Sequence, residues 1–172
     1  MTSQGLASIL SALEESRVEV NAAVAGLSED DAIASADTSC WSALQCVEHV
    51  VAAEELFVGK IEQAERQESV AINPQKESEL AARLVNRTTR VRAPEALRPV
   101  GRFTSIAEAV DHFNAVRAKT MKFAETRSED LYFLSFEHRR FGVLNGVELM
   151  LLIAAHSRRH AAQIRESRGL DG

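Results

Sequence analysis

Four stretches of this chain repeat apolar residues at steps of three and four, and each opens or closes on a residue that caps helices. That pattern constrains the fold more than anything else in the sequence, because only an α-helix places such positions on one face. In the first stretch Leu6, Ile9, Leu10, Leu13, Val20, Val24 and Leu27 define a helix over about 4–25, with Glu14, Glu15 and Arg17 on the wet side and Gly26 where a C-terminal cap belongs. Ser28 then opens a short helical turn. Ser42, with Gln45 three residues on, starts a second main helix to about Arg66. Trp41, just before that cap, is placed to pack back as a hydrophobic staple. Ser105 and Glu108 start a third, to about Arg127; Asn145 and Glu148 start the last, to about Arg168, ahead of Gly169.

Between the second and third helices, residues 69–103 are less regular. Asn73-Pro74 marks a turn, and Leu80, Leu84 and Val91 fit a minor helix over about 76–92 before Pro94, Pro99 and Gly101. Residues 128–143 are rich in aromatic side chains but alternate poorly, which favours a packed loop over a strand pair. The expected fold is therefore all-α: a four-helix bundle with a long crossover connection between helices 2 and 3. Residues 1–172 read as a single domain, since no composition shift separates two cores. Short links would make helices 1 and 2, and helices 3 and 4, antiparallel neighbours.

Composition narrows the function. Aromatic residues make up 5% and the net charge is −5, with no lysine- or arginine-rich run, so nucleic acid is not an expected partner. No apolar run reaches the length of a membrane span. The opening residues lack the pattern of a secretory signal and only Cys40 and Cys46 are present, so the expectation is a reduced, cytoplasmic protein. No Gly-rich phosphate loop, Ser/His/Asp order or CxxC motif appears.

The chemistry concentrates in the last helix. Leu149, Leu152, Ile153, His156, His160 and Gln163 form one stripe, so His156 and His160 point where the leucines point. Two imidazoles at i and i+4 can close on one ion. With a rise of about 1.5 Å per residue, His49 lies about 10 Å from the start of helix 2, and the pair is centred about 15 Å from the end of helix 4. In antiparallel helices these heights nearly coincide, which permits a three-histidine site. Three imidazoles suit zinc, nickel or ferrous iron and leave open positions, where water is acidified or a thiolate is taken up. The competing reading for a histidine here is a core residue hydrogen-bonded to a carbonyl or carboxylate or, for His156 and His160, an exposed residue beside Arg158–Arg159.

Other candidates divide the same way. His112 reads as a surface residue, and His138 as a loop residue with either a structural role or a substrate contact. Cys46 reads as a small buried hydrophobe, a soft ligand or a redox group. Glu48, Glu54 and Glu55 are either a base or partner of the histidines or a solvated face. Arg117, Arg158 and Arg159 are either contacts for the carboxylates of a thiol cofactor or surface charge.

Trp41-Ser42 followed by Glu48-His49-Val50, His138-x-x-Phe141-Gly142-x-Leu144-Asn145, and His156-x-x-x-His160-x-x-Gln163-Ile164 together resemble, in order, the signatures of the DinB-like superfamily. The resemblance spans essentially the whole chain. It implies a helical bundle with a divalent metal, commonly zinc or nickel, on His49, His156 and His160, often in a homodimer. The family includes metal-dependent hydrolases and enzymes that use a low-molecular-weight thiol. Arg139 departs from the pattern, standing where the loop usually carries Pro. The expected function is a metalloenzyme performing thiol S-transfer to a small electrophile. The alternatives are a metal-dependent hydrolase of a small substrate and a non-catalytic metal-binding stress-response protein.

Overall fold

A computed structural model describes residues 3–35, 40–68, 73–85 and 92–169. Six α-helices are present among them: α1 (Ser3–Val24), α2 (Glu29–Ile33), α3 (Ala43–Glu62), α4 (Pro74–Val85), α5 (Ile106–Thr126) and α6 (Gly146–Ser167). A 3₁₀ turn covers Glu95–Leu97, and two strands, β1 (Ser135–His138) and β2 (Gly142–Asn145), precede α6. The helix starts follow from the caps. Ser42 and Gln45 form a reciprocal capping box, as do Asn145 and Glu148. At α5 the box is only half made: Ser105 Oγ accepts from the Glu108 N–H, while the Glu108 carboxylate turns to Thr104 N and Oγ. Of the minor helix expected over 76–92, residues 74–85 are helical and Val91 lies outside the described residues.

The four main helices pack in a ring. Helix α1 lies against α5 and α6, and α3 also lies against α5 and α6; α4 covers α6. Helices α1 and α3 are therefore diagonal, as are α5 and α6, which corrects the expectation that consecutive main helices are neighbours. The reason is in the links. Residues 25–42 include α2, and residues 127–145 include the two strands, so both are long enough to cross the bundle end.

A second correction concerns 128–143. Strands β1 and β2 form an antiparallel hairpin in the register Ser135↔Asn145, Phe136↔Leu144, Glu137↔Val143 and His138↔Gly142. Gly142 takes φ +68° where the turn ends and β2 begins, a conformation that a side chain disfavours. The alternation is weak because only Leu144 and Asn145 of the hairpin are fully buried, while Phe136 and His138 are half-buried.

The apolar core falls into two clusters. One gathers Ile9, Leu13, Val58, Ile61, Phe123, Leu149 and Ile153 with the hairpin's Leu144. The other gathers Val20, Val24, Val47, Val50, Phe113, Ala161 and Ile164. On each main helix a buried polar residue falls between the two: Ser16, Glu54, Arg117 and Ser157. Arg117 is 0% exposed and uses all five of its N–H donors. It donates to Glu54 Oε1 (2.9 Å) and Oε2 (2.8 Å), to Leu13 O (2.6 Å), to Ser16 Oγ (2.6 Å) and to Ser157 Oγ (2.8 Å). One guanidinium thus bonds to the other three main helices from its own.

Candidate metal centre

Helix α3 supplies His49 because its buried surface extends well beyond the apolar stripe: Cys46, Glu48, His49 and Glu54 are buried beside Val47, Val50 and Val51. Helix α6 supplies His156 and His160, one turn apart on the face that carries Leu149, Leu152 and Ile153 inward. His160 is buried and His156 half-buried. The three imidazoles meet. His49 Nε2 lies 3.2 Å from His156 Nε2, and one ligand nitrogen from each of the three rings falls within 4.8 Å of the others. Ring centroids are 4.7 to 5.0 Å apart, all edge-to-face.

The surroundings fix the rings. His49 Nδ1–H donates to the carbonyl of Leu97 (2.6 Å), which leaves the Nε2 lone pair directed at the site. Trp41, expected only as a staple, packs 4.7 Å from the His49 ring and stacks 6.2 Å from His160. Next door on α3, Glu48 accepts from the backbone N–H of Val100 (2.6 Å) and Gly101 (3.1 Å). The same stretch of connection that orients His49 is therefore anchored by its neighbour.

Burial keeps the three histidines neutral. It lowers the pKa of His49, with the Leu97 bond acting in the opposite direction. Burial, then the charges of His49 and Arg159, takes His156 to about 3, and burial followed by its two histidine neighbours takes His160 well below its ordinary value. Neutral imidazoles are the form that binds metals. The donor set also fits an ion on two further counts. Zinc–nitrogen bonds of about 2.0–2.1 Å in a tetrahedron put donor nitrogens about 3.3–3.4 Å apart, close to the His49–His156 separation. His160 Nδ1 is buried with no hydrogen-bond partner, an unpaired state that folded proteins rarely leave unfilled.

Beside His156, Val50, Glu54, Phe57, Ile153 and Ser157 line a narrow crevice that is closed to a water molecule in this conformation. Its walls are mostly apolar. Glu54 borders it, but both of its oxygens are held by Arg117, so it is no free base.

The remaining candidates sort plainly. Glu48 and Glu54 are 4% and 2% exposed rather than solvated: Glu48 accepts the Val100 and Gly101 amides, and Glu54 accepts the buried Arg117 guanidinium. Arg117, read as surface charge or a cofactor contact, is wholly internal. Arg158 pairs with Glu15 and Glu19 of α1. His112 stands apart from the cluster, with its Nε2 against Glu55 Oε1 (2.8 Å) and Arg102 Nη2 (2.9 Å). Cys46 is buried among apolar neighbours. His138 closes β1 and touches Phe57. What the sequence hid was the Leu97 carbonyl, since a backbone acceptor has no side-chain signature; Trp41 did have a signal, its place one residue before the α3 cap.

No curated protein matches the chain in sequence. A solved structure described as YfiT from Bacillus subtilis, "a probable metal-dependent hydrolase with an unusual four-helix bundle topology", superposes with a TM-score of 0.62 at 14% identity, covering 98% of this chain and 89% of that one. At that identity the likeness speaks to the fold. The DinB superfamily profile matches residues 12–164, and the chain belongs to that superfamily.

Proposed function

We propose that the protein is a divalent-metal-dependent hydrolase of a small substrate, with His49, His156 and His160 as the protein ligands. The observation that carries this reading is the convergence of three neutral imidazoles on one point, with the apolar side chains of Val50, Phe57 and Ile153 beside it. A zinc, nickel or ferrous ion there would supply Lewis acidity, which polarises a carbonyl or phosphoryl oxygen and makes water more acidic. The chain's own residues do the rest. Leu97 holds the His49 tautomer, Trp41 packs against the rings, and Val50, Phe57 and Ile153 keep bulk water from the cleft. The description of YfiT as a probable metal-dependent hydrolase agrees in kind. By family resemblance the reading extends to a homodimer working in the cytoplasm; no described helix is long and apolar enough to cross a membrane.

Thiol S-transfer is the second reading, favoured by the open coordination positions that a three-ligand site leaves for a thiolate. It ranks below hydrolysis because two of the arginines available to a thiol's carboxylates are engaged: Arg117 inside the bundle and Arg158 on α1.

The test is direct. The protein, made without a histidine tag under metal-replete growth, is assayed for bound metal by mass spectrometry, alongside His156→Ala. About one ion per chain in the wild type and a large loss in the variant are expected; full occupancy in His156→Ala would sink the ligand assignment. Metal-dependent turnover of p-nitrophenyl acetate supports the hydrolase. Turnover of a chloro-dinitrobenzene with one member of a thiol panel, without ester hydrolysis, would move the assignment to the transferase. Stoichiometric metal with neither activity supports a non-catalytic metal-binding protein.

A further inference from the structure

A fourth imidazole borders the same region without joining the cluster. His138 Nδ1 accepts the backbone N–H groups of Arg140 (3.1 Å) and Phe141 (3.3 Å) across the hairpin turn. Accepting there requires the lone pair on Nδ1, so the ring proton sits on Nε2. The ring is half-buried and Nε2 is not among the buried unpaired atoms, so its N–H is open to water or to a ligand. Three aromatic rings surround it: Phe141 at 5.0 Å, Phe57 at 5.2 Å and Phe136 at 6.3 Å between centroids. Phe57 is the shared wall, since it also lines the cleft beside His156.

We propose that His138 is a substrate-contacting hydrogen-bond donor for the three-histidine centre, offering Nε2–H to an oxygen of a small substrate whose apolar part packs on Phe57. The inference rests on the hydrolase reading and gives it a substrate class: a small carbonyl compound with an aromatic or aliphatic body. A turn that spends two backbone N–H groups on one imidazole nitrogen fixes the tautomer, and a fixed tautomer matters where the other nitrogen has a partner to meet. Burial, with Lys60 and Arg140 nearby, lowers the His138 pKa and keeps the ring in this neutral, single-donor form.

The experiment uses the full chain and two readouts. Nitrogen-15 spectra of the metal-free protein should show the His138 proton on Nε2; a proton on Nδ1 would overturn the proposal. The zinc-loaded protein is then titrated with benzohydroxamate, whose oxygens bind metal and whose ring matches the Phe57 wall. His138→Phe keeps an aromatic ring but has no donor, and should weaken benzohydroxamate about fivefold, as loss of one hydrogen bond does. His138→Gln restores an N–H and should stay within about twofold of wild type on the same scale. Zinc stoichiometry should be equal in all three proteins, which separates a substrate contact from damage to the centre. Unchanged affinity in His138→Phe, or equal loss in both variants, refutes the contact and leaves the hydrolase reading standing. A wild type that takes up no zinc defeats both.

Discussion

Replacing Arg117 with Met should destabilise the protein more than almost any other single change. The side chain is 0% exposed and its Glu54 partner is 1% exposed at the side chain, so the substitution strands a carboxylate inside the bundle. Breaking a buried pair from one side costs about 3–5 kcal/mol. At about 2–4 °C per kcal/mol for a chain of this size, the melting temperature should fall by about 6–20 °C. The other three acceptors suffer less. Ser16 Oγ already donates to Leu13 O (2.9 Å) and Ser157 Oγ to Ile153 O (3.1 Å), so both hydroxyls keep a bond when the guanidinium goes. The loss should therefore sit mainly in Glu54. The double variant Arg117→Met/Glu54→Leu should recover most of it, because a well-packed apolar pair replaces a buried ion pair at little cost. Urea unfolding of the metal-free protein provides the measurement, with ΔG and slope compared across the cycle. A single variant that costs under about 1 kcal/mol, or a double variant as unstable as the single, would refute the argument that an orphaned carboxylate dominates.

Other consequences are equally open to measurement. Metal-free protein should lose stability as pH falls from 6.5 towards 3, because the buried imidazoles have depressed pKa values and the unfolded chain binds their protons first. His156→Gln should remove about one proton, roughly 1.4 kcal/mol per pH unit, from the steepest slope of stability against pH; an unaltered slope would contradict the burial argument. Gly146→Ala places a Cβ 2.7 Å from the Leu131 carbonyl oxygen, and should cost about 1–3 kcal/mol in thermal or urea unfolding. Glu48→Ala frees the Val100 and Gly101 amides, whose hydrogen exchange should quicken about tenfold while amides in α5 stay unchanged.

The main helices were legible because their signals are local. Ser42, Asn145 and the three-and-four spacing act within a turn or two of chain, and α3, α5 and α6 begin at the residues those caps indicate. The three histidines were legible because a face and a height suffice to bring them near one another. Neighbour relations were not, since a link's length bounds what it can reach without choosing it. Arg117 and Glu54 were misread for a related reason: a charged residue on a helix usually faces water, and only the complete set of partners, drawn from positions 40 to 104 residues apart in sequence, makes burial tolerable. The hairpin was missed because half-covered strands do not alternate.

Glu48 and His49 hold one short piece of the connection at Leu97, Val100 and Gly101, across separations of 48 to 53 residues. Closing a loop of about 50 residues carries an entropic cost that grows to about 3.5 kcal/mol above its constant part. The clasp therefore belongs among the late events of folding, after α3 exists to present both side chains. Each opening of the clasp in the metal-free protein frees the His49 ring to rotate and change tautomer, so the fraction of molecules that present the Nε2 lone pair to the site follows that opening.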